Sequence, residues 1–241
     1  MDDTRSSEIR FTVEEFHSFE GDSRVPHGEM LFKHNTSTED FFAAVRKNPE
    51  DIIPTDLKIF EKAIAEHLRL GHSVSINLNA ETFSDDRLLS TLEKLMNEHP
   101  KLDPNKIWLE ITEQGGIPEN FDGTRLALLK GLGFTLALDD FDPTQEIEWA
   151  RLDIFSPYLS AIKLPFKIMD EIRSNDIITA ERLIQKIQAA HPEKILVIEG
   201  HKAKDSEFND FLKKAGVDVI QKSSYVDPKI PLETKPLAPT L

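Results

Sequence analysis

No cysteine occurs among the 241 residues. That excludes disulfides, thiolate metal sites and cysteine nucleophiles, but says little about compartment. Positive charge is scarce as well: 29 Lys and Arg stand against 43 Asp and Glu, a formal charge of −14. The summed field of such a chain repels polyanions unless bound cations or local basic residues reverse it. Neither a nucleic-acid polymer nor an anionic membrane is therefore an expected partner, and a phosphate-bearing ligand would need the help of a metal. No apolar run approaches the roughly 18 residues of a membrane span, and the opening M-D-D-T-R-S-S-E-I-R lacks the apolar core of a signal peptide. These absences lead us to expect a soluble, cytoplasmic protein. There is no G-x-G-x-x-G or P-loop pattern, no H-E-x-x-H pair among the eight histidines, and no internal repeat. By context the histidines read as solvated or loop residues, with His201 as the one neighbour of a site.

With 39% hydrophobic and 30% charged residues, the composition suits an ordinary globular core. The most informative stretch is T-L-A-L-D-D-F-D, Thr135 to Asp142: an apolar strand that delivers Asp139 and Asp140 into a turn. A strand of that character is buried on both faces, so charges at its carboxyl end sit at the mouth of a sheet or barrel. The same pattern recurs in S-I-N-L-N (Asn77), W-L-E-I-T-E (Glu110, Glu113), S-A-I-K-L (Lys163), L-V-I-E-G (Glu199) and V-I-Q-K (Gln221).

Strand and helix signals alternate along the chain. Leu57, Phe60, Ala63, Ile64 and Leu68 have helical spacing and Gly71 supplies a stop; Ser84 is placed to cap a helix carrying Leu88, Leu92 and Leu95. Further helices are expected near 123–130, 177–190 and 207–214, and the stretch from Phe141 to Ala150 reads as a loop. Strands are expected at 8–16, 29–33, 73–79, 107–111, 134–138, 159–164, 194–198 and 217–221. Eight strands alternating with helices imply mostly parallel pairing and an eight-stranded α/β barrel of the TIM type. The link between the first two strands is too short for a helical crossover, so that pair should be antiparallel and the barrel modified near its amino terminus. The alternative is an open doubly wound sheet, which would want a Gly-rich phosphate turn. A single domain is expected over 1–228, followed by a Pro-rich irregular tail over 229–241.

A barrel gathers the carboxyl ends of all its strands on one face, so Glu29, Asn77, Glu110, Asp139, Asp140, Lys163, Glu199 and Gln221 could share one pocket. That many carboxylates cannot all ionise cheaply. Either some pKa values rise or divalent cations compensate, and an all-oxygen set with one carboxamide suits Mg²⁺ or Mn²⁺. Taken singly, each residue has a plainer reading as a cap, a strand-end hydrogen-bonder or an ion-pair partner; convergence on one face links them.

The order E-x-L (Glu29-Met30-Leu31), N in an apolar strand, L-E-I-T-E, L-A-L-D-D-F, a strand-borne K, E-G and a final Q resembles the EAL domain family of cyclic di-GMP phosphodiesterases from about Glu29 to Gln221. The resemblance implies a modified α/β barrel and a two-cation site. In it Glu29, Asn77, Glu110 and Asp139 would be metal ligands, and Asp140 would bind or bridge the second metal. Glu199 would complete the metal or water arrangement, Lys163 would position the attacking water or offset developing charge, and Gln221 would orient the site. Glu113 would anchor the loop after D-D-F. It implies cyclic di-GMP as ligand, with Lys33 at the position of the family's phosphate-gripping arginine, and contacts between two copies.

The sequence also departs from the family pattern. The loop after D-D-F, glycine-bearing in the family, reads Asp142-Pro143-Thr144-Gln145, and Pro143 restricts its own φ and the residue before it. Asp142 could become a ligand or repel substrate. E-G-V-E becomes Glu199-Gly200-His201-Lys202, Lys33 loses the guanidinium fork, Q-G becomes Gln221-Lys222, and no copy of the family's early Gln-Pro segment stands around Val13 to Phe16. Two functions follow: a Mg²⁺- or Mn²⁺-dependent phosphodiesterase that linearises cyclic di-GMP, or a non-catalytic relative acting on a protein partner, with or without the nucleotide.

Overall fold

The computed structural model of the chain describes residues 9–35, 37–112, 117, 121–201 and 206–222. Glu113 and the tail 229–241 lie outside this range. Eight strands form a closed barrel in chain order: β1 (Arg10–Ser18), β2 (Gly28–Lys33), β3 (Val74–Leu78), β4 (Ile107–Ile111), β5 (Thr135–Leu138), β6 (Ala161–Pro165), β7 (Ile195–His201) and β8 (Val219–Lys222). Closure rules out the open doubly wound sheet. β1 runs antiparallel to β2 and to β8, and every other neighbouring pair is parallel. The short link after β1 thus reverses one strand of an otherwise parallel barrel, as its length requires.

Nine helices fill the connections among the described residues: α1 (Thr38–Val45), α2 (Ile52–Leu70), α3 (Ala80–Phe83), α4 (Asp86–Glu98), α5 (Thr124–Gly131), α6 (Glu146–Phe155), α7 (Phe166–Asn175), α8 (Ile177–Ala190) and α9 (Ser206–Ala215). α2 buries Leu57, Phe60, Ala63 and Ile64 on one stripe and stops at Gly71, whose φ of 74° is cheap only for glycine. Two expectations fail here. α4 is capped by Asp85, which accepts from the Arg87 N–H, one residue later than Ser84. The stretch expected as a loop to Ala150 becomes helical at Glu146.

Side chains alternate along each strand, one set facing the helices and the other the barrel axis. The outward set (Val74, Ile76, Leu109, Leu136, Leu138, Ile162, Leu164, Leu196, Ile198) joins helix residues such as Phe60, Leu92 and Ile184 in one large core. Burying each such side chain contributes about 1.5–3 kcal/mol. The inward set is a second cluster of Trp108, Ala137, Ala161, Ile195, Val197 and Val219, with Phe16 and Val25 against it. This floor plugs the barrel at one level. Two residues further along the same strands, the inward positions are Glu110, Asp139, Lys163, Glu199 and Gln221.

Candidate active site

Strand register explains why these polar side chains meet. Glu29 stands opposite Ser75, Asn77 opposite Glu110, and Pro165 opposite Glu199. On the reversed strand, Glu14 stands opposite Glu29 and Phe16 opposite Gln221. Gly28, directly before Glu29, is needed for this approach, since a Cβ there would lie 2.5 Å from the Glu14 carbonyl oxygen. At the other side of the mouth Asp140 turns the chain with φ of 51°, a left-handed conformation that Asp tolerates better than most residues.

Lys163 is the hub. It is 0% exposed, and its ammonium lies 3.0 Å from Glu29 Oε2, 2.7 Å from Asp139 Oδ1 and 2.9 Å from Glu199 Oε2, with Glu110 Oε2 as a fourth partner. Glu110 also accepts from the Ser75 hydroxyl. Glu29 accepts from the Asn77 amide at Oε1 and from Gln221 Nε2 at Oε2, the latter at 2.7 Å. Seven strands, β2 through β8, therefore contribute side chains from along their length or just past their ends to one buried knot.

Its electrostatics follow from the count: four carboxylates against one ammonium. Burial, then the neighbouring charge of Glu29, pushes Glu110 well above the usual carboxylate range in spite of Lys163. Burial, then Asp139, does the same to Glu199. Burial would strip the proton from Lys163, yet Asp139, Glu110, Glu199 and Glu29 more than reverse that and hold the ammonium well above its ordinary value.

Among the described residues, no three His, Asp or Glu side chains close upon a point as a finished metal cage; they close upon the ammonium instead. The donor set nevertheless suits a hard cation. Asn77 Oδ1, Glu199 Oε1 and Gln221 Oε1 are buried acceptors without a hydrogen-bond donor among the described residues. Acceptors left bare at the mouth of an acidic barrel are what Mg²⁺ or Mn²⁺ would satisfy. Asn77 also lines a cavity of about 240 Å³, together with Thr112, Asp139, Asp140, Thr38, Phe42 and Asp56.

Not every expected residue joins the knot. Lys33 is exposed at the end of β2 and lines a neighbouring cavity of about 170 Å³ that also touches Asn77. Asp140 is exposed, at the rim of the larger cavity, where its charge adds to the upward push on Glu199. Asp142 turns inward on its own loop, accepting from the Thr144 N–H and hydroxyl and from Gln145 Nε2. Burial opposes ionisation there, but the donors win and hold its pKa low. The role of Glu113 falls outside the described residues, as does the side chain of His201.

Four contributors went unnoticed in the sequence. Ser75 holds Glu110, and its place two residues before Asn77 on β3 was a usable signal. Glu14 accepts from Gln221 Nε2 at 3.1 Å. Asp56, buried on α2, accepts from the Asn79 backbone N–H at 2.7 Å and the Asn79 amide at 2.8 Å, fixing the turn after Asn77. Arg151, 3% exposed, donates to the carbonyls of Ile111 (2.8 Å) and Asp139 (3.0 Å) from behind. These last three act across long sequence gaps, with no motif to mark them.

Comparison with known proteins agrees with this architecture. No curated protein matches the chain in sequence. Among solved structures, the EAL enzyme Bd1971, in a form with cAMP and cyclic di-GMP bound, superposes with a TM-score of 0.68 at 20% identity, covering 89% of this chain. This chain spans 60% of the length of Bd1971. The Xanthomonas citri FimX EAL domain in complex with c-diGMP gives 0.64 at 16% identity, covering 89% of this chain and 85% of that one. Klebsiella pneumoniae BlrP1, in a manganese/cy-diGMP complex, gives 0.68 at 22% identity, covering 90% and 55%. The family model described as EAL domain matches residues 22–221. That match covers every strand from β2 through β7 and reaches Gln221 in β8, and the chain belongs to the EAL domain family.

Proposed function

We propose that the protein is a Mg²⁺- or Mn²⁺-dependent phosphodiesterase that opens cyclic di-GMP to the linear dinucleotide. The observation that carries this reading is the ring of acceptors around Lys163, with Asn77 Oδ1 and Glu199 Oε1 buried and without a donor among the described residues. The EAL structures with cyclic di-GMP, one of them with manganese, add to it.

Glu29, Asn77, Glu110, Asp139 and Asp140 are the residues that would hold the cations. When bound, such cations supply an acidified water and neutralise phosphodiester charge. Glu199 Oε1, buried and without a donor among the described residues, is the acceptor for the proton of the attacking water. Lys163, kept protonated by its partners, supplies a fixed positive charge beside the phosphate and holds four carboxylates in register. Lys33, exposed at the rim, can reach a phosphate oxygen as a point charge, and Gln221 orients Glu29. Glu113 remains the candidate anchor of the loop after Phe141.

Purified protein incubated with Mn²⁺ and cyclic di-GMP, followed by chromatography, should release the linear dinucleotide. Asp139→Ala should abolish release, and Glu199→Gln should slow it by about 10²- to 10⁴-fold. No turnover by a folded wild-type protein would overturn the reading.

One observation favours the second reading, a regulator that binds the nucleotide or a protein partner, as a monomer or homodimer, without cleaving. The loop after Asp140 has no glycine and is braced by its own side chains and by the Trp149 Nε1–Pro143 carbonyl hydrogen bond of 2.9 Å. Calorimetric titration with cyclic di-GMP separates the two: binding without turnover belongs to the regulator.

A further inference from the structure

We infer that Glu14 is a positioning residue that fixes the orientation of the Gln221 amide, and through it the acceptor presented to the site. This rests on the metal-dependent reading proposed above.

Gln221 is 3% exposed, and its amide has one nitrogen and one oxygen to place. Its Nε2 lies 3.1 Å from Glu14 Oε2 and 2.7 Å from Glu29 Oε2. Both partners are carboxylate oxygens, which accept and do not donate when ionised. Only the NH₂ end can face them, so the chemistry selects the rotamer in which Gln221 Oε1 points elsewhere. That oxygen is buried and has no donor among the described residues. It is therefore a bare acceptor on an amide that flanks Glu29, as is Asn77 Oδ1, whose amide is set by the same logic: its Nδ2 is taken by Glu29 Oε1.

Glu29 alone is a poor guard of Gln221. Its Oε2 is shared with Lys163 Nζ at 3.0 Å, and a flipped Gln221 would offer its oxygen to the region of that ammonium. Glu29 is also a proposed cation ligand, and an oxygen that coordinates a cation is a weaker acceptor. Glu14 is outside the proposed ligand set and comes from the reversed strand β1, which lies between the strand of Glu29 and the strand of Gln221. It holds the nitrogen independently of what Glu29 does. With that hold removed, the amide can turn its NH₂ toward the site and set a partial positive charge where an acceptor belongs.

The test is a double-mutant cycle read as Mn²⁺ affinity by calorimetry, in wild type, Glu14→Gln, Gln221→Met and the double variant, with thermal melts confirming that each is folded. Glu14→Gln keeps the shape and removes the obligatory acceptor. We expect it to weaken Mn²⁺ binding about 10- to 100-fold in the wild-type background, the range for residues that orient a ligand. In the Gln221→Met background it should change affinity by less than about twofold. Equal weakening in both backgrounds would mean that Glu14 acts by its charge alone, and no weakening in either would mean that it does not act; both overturn the inference while leaving the metal site standing. If Glu14→Gln does not fold, Glu14→Ala in the same two backgrounds serves the cycle. Failure of the wild-type protein to bind Mn²⁺ would instead contradict the proposed function and the inference with it.

Discussion

Lys163 decides the stability of the site as well as its charge. Replacing it by Met leaves Glu29, Glu110, Asp139 and Glu199 without their common partner, the situation in which removal of one member of a buried ion cluster costs about 3–5 kcal/mol. Chemical denaturation at pH 7 should show that loss, and Mn²⁺ should restore more stability to Lys163→Met than it adds to wild type. The pH dependence follows from the shifted groups. Glu110 and Glu199 hold protons in the folded state above 4.5, where the unfolded chain gives them up, so stability falls as pH climbs from about 4.5 toward neutrality. Glu110→Gln should flatten that slope; an unchanged slope would show that Glu110 does not titrate in the window. Lys163 has the same sign in a higher window. Its contribution is complete below 10.5 and is lost only as pH rises through its higher folded value.

At the scale of elements, the end of β5 is gripped from behind by α6. Arg151 donates to the Ile111 and Asp139 carbonyls and pairs with Glu148, while Trp149 bonds the Pro143 carbonyl, packs against Phe141 and carries Lys186 over its ring. Arg151→Met would leave the Asp139 carbonyl without its donor, at about 1–3 kcal/mol, while the Ile111 carbonyl keeps the Asp139 N–H at 3.0 Å. Amide exchange in the 139–145 loop should accelerate in that variant while the far side of the barrel, β2 and β3, is unaffected. α6 was illegible in the sequence for a physical reason. Ile147 and Ile154 are exposed while Trp149, Arg151, Leu152 and Phe155 face inward, so no single apolar stripe marks it. α2 and α4, whose apolar residues fall on one face, were legible to within a few residues. The same contrast holds in the site. Strand-end carboxylates that follow apolar runs could be read; Glu14 could not, because β1 is half exposed and alternates without a clear apolar face. Asp56 and Arg151 sit in helices, where an isolated charge ordinarily means a solvated side.

Across the barrel, one reversed strand closes the sheet and joins the first strand to the last: β1 pairs with β8, so Phe16 and Gln221 meet although 205 positions apart in sequence. Eight strands and their order were readable because each is a short apolar run bounded by turn residues; closure itself followed from counting them. The formal charge is −14, and Glu29, Glu110, Asp139 and Glu199 gather around Lys163, which is where the proposed cations would bind. Mn²⁺ at about 100 times its dissociation constant should add about 2.7 kcal/mol of stability, raising the thermal midpoint by several degrees, with a chelator reversing the gain. A midpoint indifferent to Mn²⁺ would argue against a cation site. No helix among the described residues is long and apolar enough to cross a membrane. The most direct test of the account is a reaction with cyclic di-GMP and Mn²⁺ in water enriched in heavy oxygen, read by mass spectrometry. The account predicts a linear dinucleotide carrying one heavy oxygen atom on its newly freed phosphate; intact cyclic nucleotide after long incubation with protein that still binds Mn²⁺ would contradict it.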